Sequence, residues 1–226
     1  TVAGQDGVGG LLGYNQGTVE SCYTTGTVTG RNEVGGLVGG NTGTIISCCV
    51  TGAVTGVQYV GGLTGSNGLP DGVIASCYAT GAVTGDSVVG GLIGINMDEV
   101  ASCYAAGAVT GTTTVGGLVG YHDGVVEGCY WDMEATGQSL SSGGGGRTTD
   151  DMTYPYADDT YVDWDFESVW MADVLGYINN GYPFLIGNVP SPPHPADVNK
   201  DFRMIMSEAI AYLAGWQQGS NPMAYA

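Results

Sequence analysis

The chain has 226 residues, 42 of them glycine, and carries 22 acidic side chains against four basic ones, a formal charge of −18. The charge works against a nucleic-acid partner and favours divalent cations; no apolar run reaches the roughly 20 residues of a membrane-spanning helix. Glycine follows no G-X-Y period, which excludes collagen, and the Val, Ile, Leu and Thr between the glycines suit strands and not disorder.

One hexapeptide recurs along the chain: Val8 to Gly13, Val34 to Gly39, Val60 to Gly65, Val89 to Gly94 and Val115 to Gly120. Its copies start 26, 26, 29 and 26 residues apart. A fixed period of this size marks a stacked repeat. Thr1 follows no Met and no basic segment, so it reads as a processed start and points to export. Val2 precedes Val8 by the spacing that separates Val28 from Val34, so the chain opens in the middle of a coil. An open strand edge templates pairing with another chain, which makes assembly an expectation.

Each coil offers three candidate strands: VGGLVG, (T/V)-(I/V)-x-S-C-Y and TGxVTG. The paired glycines are expected at bends, where positive φ is needed. Between the first two strands, Asn15, Asn41, Asn67, Asn96 and His122 share one slot, suited to an amide ladder in which His122 is structural. Cys22, Cys48, Cys77, Cys103 and Cys129 share another. In-register residues of stacked coils lie about 4.8 Å apart, which permits disulfides without requiring them; buried free thiols are the expectation. Strict alternation would point these cysteines outward, whereas a bend at the preceding Ser or Gly would turn them in; the second is preferred. Cys49 takes the slot of Tyr23, Tyr78, Tyr104 and Tyr130 and reads as a packing substitution. Repeat three places its three additional residues in a corner loop, Ser66 to Gly72.

The series Gly-Gly-Leu-x-Gly, Asn-x-Gly, Ser-Cys-Tyr and Thr-Gly-x-Val-Thr-Gly resembles the GLUG-motif repeat of large bacterial surface and secreted proteins. The resemblance covers residues 1–130. It implies an all-β fold, a right-handed parallel β-helix of about five to six coils, with no catalytic residues of its own; the HExxH zinc motif of IgA-specific metallopeptidases that carry such repeats is absent from this sequence. Residues 131–186 leave the repeat. Ser141 to Gly146 reads as a flexible loop, and the later WDF…W…NGYPFL pattern resembles the closing segment of such arrays. Its aromatics are expected to cover the last coil as a cap, with a sugar-stacking platform as the other reading.

Residues 187–196 form a proline-rich linker. In residues 197–226, Asp197, Asn199, Asp201, the carbonyl of Arg203 and Glu208 fall at calcium-loop positions 1, 3, 5, 7 and 12, and residues 207–216 read as a short amphipathic helix. The unit resembles half a dockerin, which implies calcium as cofactor. Phe202 replaces the turn glycine and no second loop follows, so a working calcium site and a vestigial loop whose helix docks elsewhere both stand.

Catalysis is not expected. The basic residues Arg31, Arg147, Lys200 and Arg203 share no repeat register, and the pairs Asp158-Asp159 and Asp163/Asp165 read as solvated carboxylates. The sequence therefore predicts a secreted, cell-surface structural or adhesive protein that assembles head-to-tail with itself through its open first coil and its C-terminal tail. The other reading is a monomeric module that binds a cohesin-like protein or a glycan.

Overall fold

The structure, a computed structural model, describes residues 1–68 and 70–187. The linker, the calcium-loop residues and the terminal helix expected beyond residue 187 lie outside the described residues.

The chain winds into a parallel β-solenoid of five coils. One coil runs through Val28–Thr29, Asn32–Gly35, Val38–Asn41, Thr44–Ile46 and Cys49–Val50. Each of these strands pairs in register with its counterparts above and below, building five parallel sheets. Val2 sits on Val28, Asn15 on Asn41, and Cys49 between Tyr23 and Tyr78.

A coil thus holds five short strands instead of the expected three, because two of the expected strands contain corners. Ser21, Ser47, Ser76 and Ser102 take φ of 51–52° and Gly128 takes 56°. A single left-handed residue turns the chain sharply and resets the period-2 alternation. Ile45 and Cys48, three residues apart, consequently face the same interior, and Cys48, Cys77 and Cys103 are fully buried. A second left-handed corner recurs at Gly7, Glu33, Tyr59, Val88 and Thr114.

The paired glycines are not the positive-φ residues, contrary to expectation; like the glycine that closes the hexapeptide, they are places where backbones meet, a Cβ at Gly35 falling 2.0–2.7 Å from the backbone of Val38, Thr64 and Leu63. A Cβ at Gly39 would lie 2.6–2.7 Å from the backbone of Gly13, Gly7 and Val8, and one at Gly65 would lie 2.5 Å from the backbone of Glu33 and Val34. Side chains cannot fit in this waist. It divides the interior into a larger core of Leu37, Val38, Ile45, Cys48, Val50 and their counterparts, and a smaller column of valines that includes Val28, Val34, Val54 and Val60.

The expected flexible loop is instead the closure of the last coil. The Trp131 ring lies against Gly117, Ser141 Oγ accepts from the amides of Leu118 and Val119, and Gly145–Arg147 adds a sixth strand beside Tyr130–Asp132. The last coil leaves a row of unpaired amides and carbonyls, and these residues meet it along Gly117–Val119 and Tyr130–Asp132. Gly144, at φ 90°, approaches Leu118 and Cys129 too closely for a side chain.

The remaining aromatics take a different position from the cap expected of them. They fold back along the flank, over the outward column of Cys49, Tyr78, Tyr104 and Tyr130. Trp170 packs on Tyr78 and Tyr104 with ring centroids 6.1 and 6.0 Å apart, and Tyr182 stacks on Tyr104 at 5.9 Å. The antiparallel pair Trp170–Met171 and Phe184–Leu185 holds this segment together. Asp173 anchors its turn: the buried carboxylate accepts the amides of Tyr177, Ile178, Asn179 and Gly181 at 2.7–3.1 Å.

Candidate functional site

Four of the five residues in the amide slot form one hydrogen-bonded column. Asn15 Nδ2 donates to Asn41 Oδ1, Asn41 to Asn67, and Asn67 to Asn96, each at 2.8 Å. The Asn41, Asn67 and Asn96 amides also donate to backbone carbonyls at the following corner, of Gly43, Gly72 and Asp98. His122 occupies the fifth slot, paired with Asn96 across the sheet, but its buried Nδ1 has no hydrogen-bond partner in the described structure.

The cysteines make a second column. The amides of Cys22, Cys48, Cys77 and Cys103 donate to Sγ of the cysteine one coil further on, at 3.3–3.4 Å. The thiols of Cys48, Cys77, Cys103 and Cys129 in turn donate to the carbonyl two residues upstream, at 3.1–3.2 Å. Burial pushes the Cys103 thiol well up; the Cys77 hydrogen bond, followed by burial, does the same for Cys48. Such thiols lack the thiolate fraction that makes cysteine a nucleophile. Cys48, Cys49, Cys77, Cys103 and Cys129 are free thiols.

Tyr78, Tyr104 and Tyr130 of the tyrosine column are equally engaged, whereas Tyr23 is exposed. Tyr104 donates to the Pro183 carbonyl at 2.8 Å, and burial raises its pKa, as it does for Tyr78. Of the carboxylates considered for glycosidase chemistry, Asp159 pairs with Arg147 at 3.2 Å, and Asp165 accepts the amides of Glu167 and Ser168 in a local turn. Among the described residues no group of three or more His, Cys, Asp or Glu is placed to hold a metal. Asp197, Asn199, Asp201, Arg203 and Glu208 lie outside the described residues.

One concave site went unread in the sequence. On the outer surface of the waist, Tyr14, Gly40, Ser66, Ile95 and Tyr121 succeed one another in register. Where Gly40 lacks a side chain the Tyr14 ring lies over the backbone, and with the neighbouring column of Glu33 and Tyr59 these residues form a groove of about 370 Å³. The Tyr14 hydroxyl donates to Glu33 Oε2, and Ser66 Oγ donates to Oε1 of the same carboxylate at 3.2 Å. The hydrogen bond to Glu33 raises the Tyr14 pKa. The signal was a glycine in a column otherwise filled by side chains, legible only once the register is known.

These geometries can be set against known proteins. The family model described as the GLUG motif matches residues 4–29, and the columns above repeat that motif's positions in every coil. The chain is a β-solenoid whose first coil matches the GLUG motif. A crystal structure from Bacteroides ovatus, described as "a putative immunoglobulin A1 protease", has the same fold with a TM-score of 0.62. The two chains are 23% identical over 83% of this chain and 66% of that one, a little under two thirds of its length. No curated protein matches the sequence.

Proposed function

We propose that this GLUG-repeat solenoid is a non-enzymatic structural element of a secreted bacterial surface protein, a rigid rod that assembles end to end with copies of itself. The observation that carries the reading is how the recurring side chains are used. The Asn, Cys and Tyr columns, the residues of each coil most able to do chemistry, are engaged in binding one coil to the next or to the flank.

The contact proposed for assembly is coil-on-coil stacking of the kind that buries Leu37 and Val38 fully beneath the adjoining coil, presented by Leu11 and Leu12. A further coil of the same geometry would bury these two residues and pair the strand edges beneath them. The partner proposed is a second copy, held in place by the tail, with calcium on Asp197, Asn199, Asp201, Glu208 and the Arg203 carbonyl as the clasp.

Negative-stain microscopy and light scattering of the 226-residue protein, with and without a calcium chelator, test the reading. Rods longer than one molecule that Leu12→Asp abolishes support it, and their loss on chelation supports the clasp. Single short rods at every concentration overturn assembly. Long rods indifferent to chelation overturn only the clasp.

A further inference from the structure

We propose that the groove at the waist binds a neutral carbohydrate. The site does not depend on end-to-end assembly; it lies on the side of the solenoid and faces solvent.

The chemistry of the walls selects the ligand. Tyr14 is 60% exposed, and its ring crosses the floor at Gly40, where a Cβ would stand 2.7 Å from it. Tyr59 rises beside Glu33 from the column of left-handed corners, and Met97 completes the apolar lining. Between these apolar surfaces sits the Glu33 carboxylate. It offers about four acceptor positions, of which Tyr14 and Ser66 each take one. Its remaining lone pairs suit a ligand with hydroxyls to donate. The hydroxyls of Ser66 and Thr42 add further polar handles.

A sugar ring has the required two-sided character, an apolar C–H face to lie on an aromatic ring and a rim of hydroxyl donors for a carboxylate. A groove of this volume falls in the range of small-molecule sites, which combine apolar walls with a few placed polar groups. Charge narrows the class further. The lining holds no basic side chain, and the chain's −18 charge repels uronic and sialic acids, phosphates and sulfates.

Tyr59 stands at the left-handed corner of its coil, at φ 55°, and lines the groove together with Glu33 from the corner one coil earlier.

The test is affinity electrophoresis of the full chain through gels containing mannan, galactan or mixed-linkage β-glucan, with alginate as the anionic control and choline as a soluble competitor. Wild type is expected to be retarded by at least one neutral polymer and not by alginate. Tyr59→Ala and Glu33→Gln are expected to weaken that retardation about tenfold or more, the effect of losing one aromatic or charged contact. Tyr23→Ala, an exposed tyrosine outside the groove, should leave it unchanged. Matching thermal midpoints establish that the variants fold. Gly40→Val, which displaces the Tyr14 ring from the floor, gives an independent block. The proposal is overturned by no retardation in any neutral polymer, by equal retardation of wild type and groove variants, by preference for alginate, or by displacement with choline, which would mark a site for cationic amines.

Discussion

Asn41 donates to the side chain of Asn67 at 2.8 Å, and both amides are almost wholly shielded from water. Neither side chain has solvent as an alternative partner, so each depends on the coil beyond it. That dependence makes the column cumulative. An interior member gives and receives, whereas the member at the edge only gives.

Asn67→Ala and Asn15→Ala should therefore differ. The first leaves Asn41 without its acceptor and Asn96 without its donor and frees the Gly72 carbonyl. Each buried group left unmade costs about 1–3 kcal/mol, so a loss of about 3 kcal/mol or more is expected. The second orphans Asn41 Oδ1 in the column; the other groups it releases, the Gly17 amide and the Gly17 and Thr44 carbonyls, are within reach of water, so it should cost about 1 kcal/mol. Equal losses in urea titrations would show that the column is not cooperative.

The left-handed corners yield a stabilising substitution. Val88 is β-branched and stands at φ 54°. Asn tolerates that region better, so Val88→Asn should raise stability by about 1 kcal/mol. The adjacent Val89→Asn would put a polar amide into the fully buried valine column and destabilise strongly. Thermal midpoints moving in opposite directions for the two neighbours would be the signature; a fall for both would refute the strain argument.

The flank and the coils should separate. Trp170 is 1% exposed among Tyr78, Tyr104 and Trp164. Trp170→Ala should cost about 3–5 kcal/mol through the cavity it leaves. The aromatic segment touches coils through Tyr78, Tyr104 and Tyr130, not through Tyr23, which remains exposed. Hydrogen exchange should thus quicken at residues 150–187 while the amides of coil one keep their protection. Uniform loss along the chain would mean the flank is integral to the whole stack.

Alkaline pH should weaken the fold. Burial pushes the Cys49 thiol up to about 11 from an ordinary value near 9. Above pH 9 the unfolded chain releases this proton while the folded chain retains it, so the unfolded state binds fewer protons. Stability then falls as pH rises through 9 to 11, with a slope approaching 1.4 kcal/mol per unit for this one group. Below pH 9 the contribution is complete and flat. Cys49→Val should lessen the slope of the decline in urea midpoints between pH 9 and 11, the raised Cys48 and Cys103 thiols supplying the rest; an unchanged slope would place the titration elsewhere.

Much of the architecture was legible because it repeats. The 26-residue period gave the register, and with it the partners of Val2, Asn15 and Cys49. The serine or glycine before each ladder cysteine indicated the inward turn that φ 51–56° produces. Other features were hidden for physical reasons. The second corner accepts Gly, Glu, Tyr, Val and Thr, so no residue preference marks it. The glycines of the hexapeptide looked like bend residues because a single strand does not show which other backbone passes within 2.7 Å. Outward tyrosines gave no sign that residues 150–187 would return to cover them. The groove likewise depends on what Gly40 lacks relative to its vertical neighbours, a comparison that needs the stack.

The three additional residues of repeat three have a use beyond accommodating a loop. Asn41 reaches the carbonyl two residues on, at Gly43; Asn67 reaches across five positions to Gly72, and the strand beyond, Val73–Ala75, resumes the register of Thr44–Ile46 unaltered. The stack measures only where the chain leaves a corner and where it returns, not the path between. This corner is thus a mounting point, at which a foreign peptide could be carried on the rod at a fixed height without the neighbouring coils registering its presence.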